Sequence, residues 1–271
     1  TDIDIDINYN DTNPSPDLMA DFHGTAAAGV AAAVGNNALG VSGAAPEASV
    51  VGIRLLALPS SDSEDAEAML HQYDPINPAD RIDINSNSWG PSDTGTILGG
   101  LGPEIEAALA EGTLHGRGGL GTVYVWAAGN GRDVDDNVNY DEYASSRYTI
   151  AVSATGPDGT YSWYSEPGAS ILVNAPSSNG IGVTTVDLTG ANGYNSTIGT
   201  DGDYTNQYGG TSSACPLVAG IVALMLETNP NLTWRDVQHI LAQTAQKNDP
   251  TDSGWFTNAA GHNFNFNYGF G

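Results

Sequence analysis

The chain has 271 residues, of which 40% are hydrophobic, and this length and composition suit one large α/β domain with a sizeable core. Its formal charge is −25, since 32 acidic residues accompany only 7 lysines and arginines, and this excess argues against nucleic acid and anionic membranes as partners. A single cysteine, Cys215, excludes an internal disulfide framework, and no apolar run reaches the roughly 18 residues of a membrane span.

Residues 2–7 alternate aspartate with isoleucine, which predicts a short strand or an edge ribbon. The acidic stretch that follows, up to residue 22, is expected to form a surface loop. Next, His23 begins a run of alanine, glycine and valine that continues to Val34 and predicts a helix. A lone histidine is usually structural. Here the small residues allow close approach to another helix, so His23 is also a candidate catalytic group.

Strands and helices then alternate along the chain. Strands are predicted over 49–56, 82–90, 122–128, 148–154 and 170–175, and helices over 63–71, 103–114 and 232–245. This alternation predicts an α/β fold with a doubly wound, mostly parallel sheet and helices on both faces. Ligands of such sheets collect at the carboxyl ends of the strands. No internal repeat or low-complexity linker divides the chain, so one domain over residues 1–271 is expected.

The segment from Gly209 to Leu226 leads two glycines and a threonine into Ser212 and then into an apolar run. That run predicts a buried central helix from Ser213 to about Thr228, with Pro216 in its first turn. Ser212 would then lie at the helix N-terminus, where free N–H groups and the helix dipole favour a developing oxyanion. The alternative is that Thr211 or Ser212 only caps the helix.

These landmarks together resemble the subtilisin superfamily of serine proteases, and more closely its kexin/furin-like branch with bacterial calcium-dependent relatives. The similarity extends over nearly the whole chain, and its longest motifs lie in family order. They are Ser88-Trp89-Gly90-Pro91, Val125-Trp126-Ala127-Ala128-Gly129-Asn130-Gly131, Trp163-Tyr164-Ser165-Glu166 and Asn231-Leu232-Thr233-Trp234-Arg235-Asp236.

The resemblance implies a subtilisin-like fold and serine endopeptidase activity through an acyl-enzyme. It makes Ser212 the nucleophile, His23 the general base and Asn130 the oxyanion donor. Asn130-Gly131 could alternatively form a turn between two strands. An α/β-hydrolase is excluded because that class has its histidine after the serine.

The family's catalytic aspartate has no counterpart here. In the family it ends a buried strand well before the histidine, whereas the aspartates before His23 match the segment between those two family residues. Among them are Asp2, Asp4, Asp6, Asp11 and Asp21. The resemblance therefore predicts that the third group comes from a separate N-terminal fragment. The β-rich domain that usually follows the catalytic domain in the kexin branch is also not represented in these residues.

The resemblance also implies a preference for peptide or protein substrates with a basic residue before the cut. Asp93 and Asp141 match acids of the family's pocket for that residue, which predicts cleavage after Arg, with Lys weaker. Substrate backbone would pair with two edges by strand addition. These edges are Ser88, Trp89 and Gly90 on one side and Ala127, Ala128 and Gly129 on the other. A strict dibasic preference is not expected, because Leu56-Ala57-Leu58-Pro59 is apolar where the family has an acid.

Calcium is the cofactor that the resemblance implies, at two places. Asp93, Asp136 and Glu166 match the family's site beside the specificity pocket, where three carboxylates would repel without a cation. The turn from Val34 to Val41 resembles the other site, with the carbonyls of Val34, Leu39 and Val41 and the Asn37 side chain as ligands. The alternative is that Asp136 and its neighbour Asp133 only solvate a loop.

Two functions remain open from the sequence: a calcium-dependent endopeptidase, and a non-catalytic or incomplete subtilase-like domain that binds peptides and needs the separate fragment. A secreted or periplasmic location is favoured.

Overall fold

A computed structural model describes residues 3–18, 21–75, 77–196 and 199–271. Its strands and α-helices are, in chain order, β1 (Ile5–Asp6), α1 (His23–Ala32), β2 (Ile53–Arg54), α2 (Asp62–Leu70), β3 (Ile84–Asn87), α3 (Pro103–Gly119), β4 (Val123–Ala127), β5 (Thr149–Thr155), β6 (Ile171–Pro176), β7 (Val183–Val186), β8 (Tyr204–Tyr208), α4 (Thr211–Thr228), α5 (Trp234–Thr244), β9 (Phe256–Thr257) and β10 (Asn263–Phe264). Helices and parallel strands alternate through most of the chain, so the predicted α/β class is confirmed.

The centre of the molecule is a four-stranded parallel sheet in the order β3-β4-β5-β6. Every residue of β4 and β5 is buried, because helices cover both faces of the sheet. Val123 and Val125 pack with α4 and α5 on one face, while Tyr124 and Trp126 pack with α2 and α3 on the other. The continuous apolar run of β4 is thus explained by burial on both sides.

A second parallel pair, β1 with β2, stands apart from this sheet. Within the described residues, one edge of β2 and one edge of β3 have no strand partner. Between them lies a cavity of about 1150 Å³, lined on one side by residues 48–57 and on the other by residues 79–89. The cavity is therefore a groove between two open sheet edges, and His23 also lines it.

Helices α1 and α4 pack directly against each other, as their small residues predict. A side-chain carbon on Gly220 of α4 would stand 2.9 Å from the Ala31 carbonyl of α1 and 2.7 Å from Ala44 Cβ. Only glycine permits this approach. By length and composition α4 could cross a membrane, but 56% of it is buried inside the protein, as expected of a core helix.

The start of α4 corrects two expectations. The helix begins at Thr211 with Gly210 as its N-cap, at φ 74°, and no side chain caps it, so the capping role for Thr211 or Ser212 is wrong. Pro216 is consequently the sixth residue of the helix and lies beyond its first turn. In an α-helix the N–H of residue 216 would bond the carbonyl of Ser212, and proline has no N–H to give.

Other bounds differ from the predictions because tertiary context decides where regular hydrogen bonding stops. The strand predicted over 49–56 is regular only at Ile53–Arg54, since one of its edges is unpaired. Helix α3 runs past residue 114, but Gly116 to Gly118 depart from helical φ and ψ. The antiparallel ribbons β7–β8 and β9–β10 were not predicted.

The predicted N-terminal strand is confirmed in the short form Ile5–Asp6. Asp2 lies outside the described residues.

Candidate active site

Ser212 is the second residue of α4 and is half-buried. Its Oγ donates a weak hydrogen bond to the Ser88 carbonyl at 3.4 Å. Its own carbonyl accepts from Tyr208 Oη at 2.7 Å and from Ser88 Oγ at 2.9 Å. Because the first backbone N–H groups of a helix have no partner within the helix, the Ser212 amide lies in a region that favours negative charge.

His23 is the first residue of α1 and is half-buried. Burial lowers the pKa of its imidazole below the ordinary value, which favours the neutral ring that a general base requires. The ring lies edge-on to Tyr208, with centroids 5.4 Å apart at 73°. Tyr208 therefore contacts His23 with its ring and Ser212 with its hydroxyl, so the candidate base and nucleophile share one neighbour.

No carboxylate of the described ranges hydrogen-bonds His23 or shifts its pKa. Asp21 lies two residues before it, but its carboxylate accepts from Arg54 Nε at 2.7 Å. Asp6 is buried and accepts from Arg54 Nη1, also at 2.7 Å. Arg54 thus engages the carboxylates of Asp6 and Asp21, two acids of the N-terminal segment.

Asn130 follows β4 directly and faces the start of α4. Its Oδ1 accepts from the Thr211 N–H at 2.8 Å and from Thr211 Oγ1 at 3.1 Å. Since the oxygen end is engaged, the NH₂ end is the part of the amide that remains to donate. Gly131 leads into a 3₁₀ turn at Arg132–Val134, not into a returning strand, so the hairpin-turn alternative for Asn130 is wrong.

Asp141 is buried, with only 7% of its surface exposed. Its Oδ1 accepts from the N–H groups of Tyr143 at 2.8 Å and Ala144 at 3.1 Å. A side-chain carbon on Gly90 would stand 2.9 Å from Asp141 Oδ2, so the absent side chain of Gly90 leaves room in front of this oxygen. Burial, with smaller contributions from the charges of Glu142 and Asp93, raises the pKa of Asp141 to about 7, although the two N–H bonds act in the opposite direction.

Asp93, Asp136 and Glu166 offer oxygens that lie within 4.8 Å of one another. Asp136 Oδ2 accepts from the N–H groups of Thr94 at 2.6 Å and Gly95 at 2.8 Å. Burial raises the pKa of Asp93, and burial together with the neighbouring acids raises that of Glu166 to about 8. Among described histidine, cysteine and acidic side chains, this is the one group that could hold a metal.

Comparison with known proteins decides the family. The sequence profile described as the subtilase family matches residues 2–271. The chain belongs to the subtilase family. These are serine protease hydrolases of the subtilisin/kexin type, and the suspected resemblance is thereby confirmed.

Several curated relatives of this subtilase are convertase-like. A PC3-like endoprotease variant B of Hydra vulgaris is 40% identical over 270 residues, which are 98% of the chain and 36% of the relative. Furin-like protease 1, isoform 1-CRR, of Drosophila melanogaster is 39% identical over 98% of the chain and 23% of the relative. The chain thus spans about a third or less of these relatives.

Among solved structures, the serine protease of Aeromonas sobria in complex with a chaperone has a TM-score of 0.86 at 26% identity. It matches 100% of this chain and 54% of that protein. A cold-adapted subtilisin-like proteinase, at 22% identity and a TM-score of 0.63, supports the fold alone. The predicted subtilisin-like fold is confirmed.

The acid cluster of the subtilase fits calcium by the chemistry of its donors. All three side chains offer carboxylate oxygen, which is the ligand type that calcium prefers. A side-chain carbon on Gly131 would stand 2.7 Å from Asp136 Cβ and 2.8 Å from Asp93 Cβ, so glycine allows the carboxylates to converge. The raised pKa values of Asp93 and Glu166 are what uncompensated acids show when burial crowds them together.

The other predicted calcium loop lies after α1. Asn37 is exposed, and its Oδ1 accepts from the Leu39 N–H at 3.0 Å, so the side chain closes the turn. Val34 and Leu39 are 61% and 68% exposed, and Val41 is half-buried. No described acid joins this loop in a group that could hold a metal.

The two predicted substrate edges follow neighbouring strands. Ser88, Trp89 and Gly90 come after β3, while Ala127 ends β4 and Ala128 and Gly129 follow it. In the second edge, the Ala128 N–H bonds the Val152 carbonyl at 3.0 Å and the Gly129 carbonyl accepts from the Glu166 N–H at 3.3 Å. These two groups are occupied by the protein itself.

The sequence reasoning missed two residues of this site, Tyr208 and Tyr143. Tyr143 stacks on Trp126, with ring centroids 5.1 Å apart, and also contacts Trp89. Tyr208 stands immediately before the glycines that introduce Ser212. A signal for Tyr208 was present, because a proline four residues after Ser212 leaves the Ser212 carbonyl in need of a donor.

Proposed function

We propose that the chain is the catalytic domain of a calcium-dependent serine endopeptidase that cleaves peptide bonds after Arg, and after Lys more weakly. The observation that carries the proposal is that one tyrosine contacts both His23 and Ser212, which lie at the N-terminal ends of two touching helices. Tyr208 contacts both His23 and Ser212, and Thr211 holds the oxygen end of the Asn130 amide.

The chemistry follows from these roles. Ser212 Oγ attacks the scissile carbonyl carbon as His23 takes its proton, and the carbonyl oxygen becomes an oxyanion. The Asn130 NH₂ and the Ser212 N–H stabilise that charge. His23 then gives the proton to the leaving amine, which yields an acyl-enzyme that water hydrolyses by the same steps.

The preference for a basic residue rests on Asp141 and Asp93. Asp141 has a free side in front of Gly90, and Asp93 is close enough for its charge to raise the pKa of Asp141. A guanidinium placed between them would relieve this repulsion and gain charge-assisted hydrogen bonds. Arg is favoured over Lys because its planar fork can bond a carboxylate with two N–H groups.

Calcium would be held by Asp93, Asp136 and Glu166. When bound, it supplies positive charge that keeps these carboxylates ionised and the loop around Gly131 in place. A second ion at the Val34–Val41 turn remains part of the proposal, with carbonyl oxygens as its main ligands.

The partner that completes the triad is proposed to be a separate N-terminal fragment that carries the catalytic aspartate. Two observations support this. His23 lines a groove of about 1150 Å³ between two open sheet edges, and no described carboxylate reaches its ring. An extended segment could add to these edges by main-chain hydrogen bonds and bring a carboxylate to His23.

The experiment that tests the endopeptidase is reaction with a peptidyl-arginine phosphonate, which modifies an activated serine. We expect Ser212 to be labelled in the parent protein and labelling to disappear in Ser212→Ala, since that variant lacks the hydroxyl. His23→Ala should also abolish labelling, whereas Ser170→Ala, which removes an exposed serine hydroxyl that bonds Asn139, should not.

A peptide-binding domain without catalysis is the competing function. It predicts saturable binding of an Arg peptide without labelling, with or without a fragment that carries the aspartate. Labelling that appears only when such a fragment is added would support both the enzyme and the proposed partner. Equal labelling of the parent and of Ser212→Ala would overturn the role of Ser212.

A further inference from the structure

The carbonyl of Ser212 has an unusual position in α4. Within a helix each carbonyl accepts from the N–H four residues later. For Ser212 that residue is Pro216, which has no N–H. The residue proposed as the nucleophile therefore has a backbone oxygen that the helix cannot satisfy in the usual way.

Two side-chain hydroxyls from outside the helix donate hydrogen bonds to this oxygen. Tyr208 Oη donates at 2.7 Å and Ser88 Oγ at 2.9 Å. They come from different elements, since Tyr208 ends β8 and Ser88 follows β3. We call these two side chains the hydroxyl clamp.

The tyrosine of the clamp has little freedom. Only 1% of Tyr208 is exposed, and its ring packs edge-on against His23 at 5.4 Å and against Tyr194 at 5.8 Å. Burial raises the pKa of its hydroxyl, so the proton it donates stays in place.

We propose that Tyr208 is a positioning residue that fixes the backbone of Ser212, and through it the nucleophilic Oγ, relative to His23. The inference rests on the proposed roles of His23 and Ser212. It adds that Pro216 and Tyr208 act together. The proline leaves the Ser212 carbonyl without a hydrogen bond from the helix, and the tyrosine, whose ring packs on His23, donates to that carbonyl and holds it in place.

The test begins with Tyr208→Phe in the full-length enzyme, because this change keeps the ring on His23 and removes only the hydroxyl. We expect kcat for an Arg peptide to fall about tenfold, which corresponds to about 1.4 kcal/mol of activation free energy, with KM changed less than about twofold. Inactivation by the arginine phosphonate should slow by a similar factor.

Tyr124→Phe is the matched control. Tyr124 is also fully buried, and its hydroxyl donates to the Met69 carbonyl at 2.9 Å, on the opposite side of the sheet from α4. This variant loses the same kind of hydrogen bond, so its thermal stability should fall while its kcat stays within about twofold of the parent.

The second arm is a rescue. Pro216→Ala returns an N–H to the position from which a helix satisfies the Ser212 carbonyl. In the Tyr208→Phe background it should recover several-fold in kcat, whereas a purely structural tyrosine would give no such recovery.

A kcat for Tyr208→Phe that equals that of Tyr124→Phe, or a double variant no faster than Tyr208→Phe alone, would overturn the inference. Ser212→Ala separates this outcome from failure of the proposed function. Activity that survives in Ser212→Ala refutes the function itself. Activity lost there but retained in Tyr208→Phe refutes only the positioning role.

Discussion

Individual side chains at this site are held by hydrogen bonds to one of their two polar atoms, which leaves the other polar atom available to a substrate. Asn130 shows this most clearly, because two bonds from Thr211 engage its oxygen and leave its NH₂ to donate. Asp141 is similar, with one oxygen held by two backbone N–H groups and the other facing Gly90. In both cases the orientation of a reactive group is decided before any substrate arrives.

Asn130→Ala should therefore lower kcat by about 10²–10³, with little change in KM, because the lost donor acts on the oxyanion and not on bound substrate. Steady-state kinetics on an Arg peptide measure this. Asn248→Ala is a suitable control, since Asn248 is also half-buried and donates to Asn174 Oδ1 of β6 at 2.7 Å. A decrease in kcat no larger than that of the control would exclude an oxyanion role.

The proposed selectivity for Arg should depend on pH through Asp141. Its pKa of about 7 means that the carboxylate loses its charge as the pH falls through that value. We expect kcat/KM for an Arg peptide, relative to a norleucine peptide, to decline between about pH 8 and about pH 6. Asp141→Asn should have a low ratio that no longer changes with pH. A parent ratio that is flat over this range would contradict the assignment.

At the level of elements, α1 and α4 are the important pair, because His23 and Ser212 lie at their starts. The contact between them depends on small side chains, above all Gly220. We therefore expect the distance between the two helix axes to control the distance between the proposed base and the proposed nucleophile.

Gly220→Val should push α1 away from α4, since its first side-chain carbon would already overlap Ala31 and Ala44. We expect a lower melting temperature, and a loss of kcat that persists well below it. Ile221→Ala, on the neighbouring exposed position of the same helix, should lower stability slightly and leave kcat unchanged. Normal kcat in folded Gly220→Val would show that helix spacing does not control the site.

Strands and helices could be predicted from the sequence where a local pattern of apolar residues is enough to identify them. The run Val123–Ala127 is buried on both faces, so its apolar sequence identified β4 directly. The ribbon β7–β8 was missed because residues 187–203 separate its strands and neither short strand has a continuous apolar run. Pro216 was placed in the first turn because the true helix start depends on Gly210, whose positive φ no periodicity reveals.

Candidate site residues could be named from the sequence where they lie in family motifs. Residues outside those motifs, which join the site only through tertiary contacts, could not. His23, Ser212 and Asn130 stand in recognisable motifs, and the acids of the cluster follow them. Tyr208 belongs to none of the motifs that carry the family resemblance. Its proposed role depends on how Tyr208, Ser88 and Pro216 are arranged in three dimensions.

For the whole molecule, the charge of −25 makes the proposed calcium site a matter of stability as well as function. Glu166 has a pKa of about 8 in the folded protein without metal, against about 4.3 in an unfolded chain. Between these values the folded state holds a proton that the unfolded state lacks. The contribution of Glu166 to the free energy of unfolding is therefore most favourable at low pH, and it is lost as the pH rises towards 8.

In chelator, the melting temperature should fall as the pH rises from about 5 to about 8, because ionising the crowded acids then has no compensation. Added calcium should raise the melting temperature most at the upper end of this range. Glu166→Gln should flatten the dependence in chelator and weaken the response to calcium. Identical melting curves with chelator and with calcium at about pH 8 would argue against the site.

The groove between β2 and β3 also has a consequence for solution behaviour. Two rows of backbone amides and carbonyls face each other across it, each ready to accept a strand from elsewhere. Such open edges are templates for assembly between copies of one polypeptide. These residues produced alone should therefore form dimers or larger species, and a peptide that fills the groove should return them to monomers.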